Sequence, residues 1–86
     1  MRREEIFQFI TSVFATLIEV DAIRESDELI EDLGISSMDI LTLISYLEEE
    51  FDIRITERMI RRVVTVGDLM DLVQKALKES AQKKSS

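Results

Sequence analysis

The chain has 86 residues, with 18 acids against 11 bases, a net charge of −7, and neither cysteine nor histidine. A single domain of this length buries roughly 60–65% of its unfolded surface, and 45% apolar with 34% charged residues suits a soluble fold. Disulfides, Cys/His zinc sites and Cys/His nucleophilic catalysis are excluded, and no apolar run is long enough to span a membrane.

The opening stretch MRREEIFQFI has acids directly after its arginines and no small-residue cleavage site. No secretory signal is therefore expected, and the cytoplasm is the expected location. Charge is unevenly placed: residues 19–52 hold twelve acids and one base (Arg24), the rest of the chain six acids and ten bases. An acidic middle repels nucleic-acid phosphates and attracts protein partners with basic patches. Its carboxylates read as solvated and have no histidine beside them, so an enzyme is the weaker reading. Any chemistry is expected on a group attached to the chain.

Within residues 4–20, Ile6, Phe7, Ile10, Val13, Phe14, Leu17 and Ile18 recur at spacings of three and four, which predicts an amphipathic first helix. Residues 21–36 lose that period and fill with acids, with Leu29, Leu33 and Ile35 placed to pin the loop to the core. Loops of that length are often functional. The second helix is predicted to open at the two serines 36 and 37, with Ser36 as N-cap and Asp39 completing a capping box. Its stripe is predicted as Leu41, Ile44, Leu47 and Phe51, with Leu43 beside it. Glu48, Glu49 and Glu50 stand near its end, where the helix dipole disfavours negative charge. Solubility does not require acids at that end, which points to recognition.

Residues 51–55 alternate like a strand and residues 63–66 are β-branched, but an isolated two-stranded ribbon is marginal. The preferred reading is an extended link and then a short helix near residues 57–62, capped by Thr56. A last helix follows, capped by Thr65 with Asp68 at its third position and Val66, Leu69, Met70, Val73 and Leu77 as its apolar stripe. The expected fold is an all-α, four-helix bundle of three longer helices and one short one, spanning residues 1–80. Phe7, Ile10, Phe14, Leu41, Ile44, Leu47, Val66, Leu69 and Val73 are expected in its core, and residues 81–86 form a frayed polar tail.

Residues 33–55, LGISSMDILTLISYLEEEFDIRI, resemble the attachment region of acyl carrier proteins. The family pattern there is a Leu-Gly turn, one residue, then Asp-Ser-Leu opening the second helix, followed by Glu-Glu-Phe and an alternating isoleucine link. The order of helices and the acidic loop extend the resemblance more weakly over most of the chain. It implies that Ser37 receives 4′-phosphopantetheine from coenzyme A, with Ser36 and Met38 flanking the attachment point. It also implies that Asp39, Glu48 and Glu49 are read by basic groups of partner enzymes. Those partners would be a phosphopantetheinyl transferase and acyl-transferring and chain-elongating enzymes of fatty acid or related lipid and polyketide synthesis. A monomer is expected, with no metal, no nucleic acid and no membrane span.

Three departures point to a specialised carrier. Ser36 stands where the family has aspartate, Thr42 where it has glutamate, and Arg58, Arg61 and Arg62 make a usually acidic third helix basic. Two other functions stay open. One is a D-alanyl or other aminoacyl carrier, since such carriers often show Ser-Met at this position. The other is a helical interaction domain without a prosthetic group, in which the serine pair is simple double capping.

Overall fold

The computed structural model describes residues 2–18 and 22–84, with side chains as far as Glu79. Four helices follow one another along the chain: α1 (Arg3–Leu17), α2 (Ser37–Phe51), α3 (Glu57–Ile60) and α4 (Val66–Lys84). No strand forms among the described residues. α1 packs against both α2 and α4. The expected all-helical bundle with one short helix is what these residues build.

In α1 the inward stripe is Ile6, Ile10, Val13 and Phe14, all buried, while Phe7 and Leu17 are only half-buried against the same core. The helix stops at Leu17 rather than at residue 20, because the Ile18 backbone turns extended and donates its N–H back to the Phe14 carbonyl. Val20 lies outside the described residues. In α2 the inward stripe is Leu43, Ile44 and Leu47, with half-buried Ile40 and Phe51 extending it. The Phe51 ring meets Phe9 of α1 edge to face, with centroids 5.4 Å apart.

Leu41 is a correction: expected in the core, it is 54% exposed. At roughly 100° per residue it sits about a quarter-turn from Ile40 and off the stripe that Leu43 helps to define. α2 has apolar residues on more than one face, so spacing alone did not select the buried one.

The long loop folds down as expected: Leu29 and Ile35 are buried and Leu33 is half-buried. Ile23, not anticipated, is buried with them. Residues 63–66 do not pair with 51–55. Instead Thr65 makes an isolated antiparallel bridge with Glu28 of the loop. The Leu29 N–H donates to the Val64 carbonyl at 2.9 Å, and the Val66 N–H to the Asp27 carbonyl at 3.0 Å. Gly67 donates to the Glu25 carbonyl at 2.8 Å, and a Cβ there would lie 3.2 Å from that oxygen, a tight contact that a side chain would make only by displacing the loop a few tenths of an ångström. Of the alternating residues 51–55, Phe51 ends α2, Asp52 is its left-handed cap, and residues 53–55 form the link, with Ile53 and Ile55 turned into the core.

Arg3 closes the same corner. Its Nε and Nη2 donate to Glu25 Oε1 at 3.1 and 2.8 Å, and its Nη1 to Asp71 Oδ1 at 2.6 Å and Gln74 Oε1 at 2.7 Å. Glu25 first and then Asp71 push the guanidinium pKa further up. These groups are partly solvated, so each pair adds little by itself and the gain lies in joining α1, the loop and α4.

α4 opens with the expected cap. Thr65 Oγ1 accepts the Asp68 N–H at 3.1 Å, while Asp68 Oδ2 accepts the N–H groups of Thr65 and Val64 at 3.1 and 3.0 Å. Val66, Leu69, Met70 and Val73 are buried as expected, joined by Leu72 and Ala76. The α4 backbone continues to Lys84, into the stretch marked by the sequence as a tail.

The N–H of Thr65, then that of Val64, holds the Asp68 carboxyl below its ordinary value of 3.8. A folded-state pKa that is depressed stabilises fully above the unfolded value and is lost as pH falls through the folded one. Asp68→Ala should therefore cost about 0.5–2 kcal/mol at pH 7, the range for a lost cap. Urea melts at pH 7 and near pH 3 check this. The gap between the variant and the parent should narrow in acid, and an unchanged gap would count against the charged cap.

Candidate functional site

The site is built by the turn that ends the long loop. Gly34 sits at φ +67°, the left-handed region that side chains avoid, and its N–H donates to the Ile30 carbonyl at 3.1 Å. That reversal lets Ile35 bury its side chain while its N–H donates to the Leu29 carbonyl at 3.1 Å. The anchored isoleucine fixes where the next two residues begin α2.

Ser36 is the N-cap, with φ −79° and ψ 164°, and its Oγ accepts the Asp39 N–H at 3.2 Å. Asp39 Oδ2 returns to the Ser36 N–H at a long 3.5 Å, so its charge at the helix start matters more than that bond. Ser37 is the first residue of α2 and is exposed, and its hydroxyl makes no hydrogen bond among the described residues. The two adjacent hydroxyls are thus unequal: one is used by the fold and the other is left to solvent.

Beside Ser37 runs a groove of about 350 Å³, walled by Ile40 and Leu41 of α2 and by Glu57, Ile60 and Arg61 at α3. Met38 is 75% exposed and does not line it. Sequence reasoning missed Ile40, Leu41, Ile60 and Arg61 as site residues, since the groove exists only once α3 is laid against α2. The sequence carried no signal for it, since Leu41 read there as part of the core stripe and is off it only in the fold.

The three acids singled out on α2 have different surroundings. Asp39 serves the capping box, and Glu48 Oε2 accepts the Ile55 N–H at 3.0 Å, bracing the link that leads to α3. The link leaves through Asp52, whose left-handed backbone ends α2 while the Ile53 N–H donates to the Glu48 carbonyl at 3.2 Å. Glu49 is exposed and makes no ion pair or hydrogen bond among the described residues. Between Ser37 and Glu49 the exposed side chains of α2 are Met38, Leu41, Thr42, Ser45 and Tyr46, with no charge among them. The Thr42 and Ser45 hydroxyls donate back to the Met38 and Leu41 carbonyls, each at 3.1 Å. No group of His, Cys, Asp and Glu side chains that could hold a metal ion is present among the described residues.

A family model described as a phosphopantetheine attachment site matches residues 8–73, well over half of the chain. The chain belongs to the acyl carrier protein family. It is 34% identical over 77 residues to an acyl carrier protein of Thermotoga maritima, covering 87% of this chain and 95% of that one. It is 39% identical over 74 residues to an acyl carrier protein of Saccharopolyspora erythraea, covering 84% and 78% respectively. The fold agrees with the crystal structure of a T. maritima acyl carrier protein at a TM-score of 0.81 and 28% identity, over 92% of this chain and 94% of that one. A putative acyl carrier protein of Mycobacterium tuberculosis superposes at 0.71 with 32% identity, over 85% and 96%.

Members of the acyl carrier protein family are carriers and not enzymes, and their cofactor is covalent 4′-phosphopantetheine. The residues present fit that group: an exposed, unbonded hydroxyl at a helix start opens onto a groove with apolar walls and one cation. The family works with a phosphopantetheinyl transferase and with biosynthetic enzymes. No helix among the described residues is long and apolar enough to cross a membrane.

Proposed function

We propose that Ser37 carries the 4′-phosphopantetheine and that this chain is a cytoplasmic, monomeric carrier of acyl groups. It would hold them as thioesters and deliver them to enzymes of fatty acid or related lipid or polyketide biosynthesis. The observation that carries this reading is the inequality of the serine pair, in which Ser36 Oγ is committed to the Asp39 N–H and Ser37 Oγ is unbonded. Acyl rather than aminoacyl cargo is favoured because the similar proteins are named acyl carrier proteins. The attachment-site match favours a loaded carrier over a bare interaction domain.

In loading, Ser37 Oγ forms a bond to phosphorus and displaces adenosine 3′,5′-bisphosphate from coenzyme A as the P–O–P bond breaks. The hydroxyl proton goes to a base of the transferase, because this chain has no histidine and Asp39 is turned to the Ser36 N–H. The bound arm supplies the thiol that the sequence lacks. The α2 dipole and its first-turn N–H groups favour the phosphate at Ser37. Ile40, Leu41 and Ile60 give the arm an apolar wall to lie along.

Asp39, Glu48 and Glu49 would set the sign of the surface that partners meet. Glu49 is free to pair with a partner's arginine or lysine, whereas Asp39 and Glu48 act mainly through the field of the acidic middle. The uncharged face around Met38, Leu41 and Tyr46 offers apolar contact beside the attachment point.

Intact mass tests the reading. After incubation with coenzyme A and a broad-specificity transferase, the whole population should gain one phosphopantetheine and no more. A chain that gains none with several transferases is not a carrier of this kind.

A further inference from the structure

We propose that Arg61 binds the phosphate of the arm on Ser37 and so fixes the direction in which the arm leaves α2. This rests on the reading that Ser37 is the loaded residue. Ser37 and Arg61 stand on the same groove, the serine at the start of α2 and the arginine directly after α3. Arg61 keeps helical backbone angles, φ −61° and ψ −21°, and its N–H donates to the Glu57 carbonyl at 3.0 Å. Its backbone is thus held while its guanidinium makes no hydrogen bond or ion pair among the described residues.

The wall that carries Arg61 is itself fixed against α2. Thr56 Oγ1 caps α3 by accepting the Met59 N–H at 3.3 Å, and Glu48 of α2 holds the Ile55 N–H one residue earlier. Ile53 and Ile55 are buried in the link. A cation on a fixed wall loses less freedom on pairing than one on a mobile loop.

The chemistry of the pair is specific. A phosphodiester carries one negative charge at neutral pH, and a guanidinium is a planar, permanently charged fork that meets two phosphate oxygens at once. Apolar groove walls strengthen that attraction relative to open water. The other two arginines of this segment are not alternatives. Arg58 and Arg62 line a separate groove between α3 and α4, together with Met59, Leu72 and Lys75.

Glu57 is the acid on the Ser37 groove, four residues before Arg61 on the same turn. It is not within ion-pair distance of Arg61 in this structure. It competes for the guanidinium before loading only as weakly as solvated helix neighbours do. The phosphate on Ser37 is held on the same groove and offers the guanidinium fork two oxygens of one phosphodiester.

Proton–nitrogen spectra of the full chain before and after loading, with ³¹P spectra of the loaded form, decide it. Loading should shift the Arg61 Nε–H signal, and the ³¹P resonance should move in loaded Arg61→Gln but not in loaded Arg62→Gln. Arg61→Lys, which keeps the charge and loses the fork, should give an intermediate ³¹P position. An Arg61 signal unmoved by loading, or one ³¹P position shared by the parent and Arg61→Gln, would overturn this contact alone. A parent chain that accepts no arm would overturn the attachment reading and the contact with it.

Discussion

Phe14→Ala is expected to lose about 3–5 kcal/mol of stability, while Leu41→Ala should change it by no more than about 0.5 kcal/mol. Phe14 is fully buried at the meeting of α1 with the rest of the core, so truncation loses its transfer energy and leaves a cavity. Small domains hold roughly 5–15 kcal/mol in all, and an 86-residue chain without disulfides has little else to fall back on. Leu41 is more than half exposed, and its removal opens no cavity. Urea unfolding followed by far-UV circular dichroism gives both numbers. Equal costs at the two positions would mean that the α2 face described above is wrong.

Ser37→Ala should abolish the gain of phosphopantetheine completely, whereas Ser36→Ala should leave it intact. The two residues are neighbours of identical chemistry, so the contrast isolates geometry. Removing the Ser36 hydroxyl frees the Asp39 N–H and should cost about 0.5–2 kcal/mol of stability without touching the acceptor. Ser37→Ala removes no hydrogen bond of the described structure and should melt within about 0.5 kcal/mol of the parent. Ser36→Asp keeps a capping oxygen and restores the family's aspartate, and should load faster with a generic transferase. Intact mass after incubation with coenzyme A, together with thermal melts, reads all three variants. Loss of loading in Ser36→Ala, or loading of Ser37→Ala, would reverse the roles.

What the sequence made legible is what is local. The capping boxes at Ser36 and Thr65 and the Thr56 cap each rest on residues three apart, so their chemistry shows in any short window. The α1 stripe was legible because its polar face is clean. α2 was not, since Ile40, Leu41, Leu43, Ile44 and Leu47 spread apolar side chains around the cylinder and only packing against α1 chooses among them.

Long-range pairings were out of reach. Arg3 reads as one charge in a mixed run, yet it joins Glu25 and Asp71, 22 and 68 positions away. The β-branched stretch at 63–66 invited pairing with the nearest strand-like segment, but its partner is the acidic loop around Glu28. The candidate site divides in the same way. The serine pair and Asp39 were visible, while the groove wall from α3 and the use of the Glu48 carboxylate on Ile55 needed the fold.

The central claim is that the fold spends one serine on its helix and leaves the next for the arm. Fragmentation mass spectrometry of the loaded parent chain tests this most directly, because it places the added mass within the Ser36–Ser37 pair without altering either residue. All of the phosphopantetheine should map to Ser37. Mapping to Ser36, or a division between the two, would contradict the account.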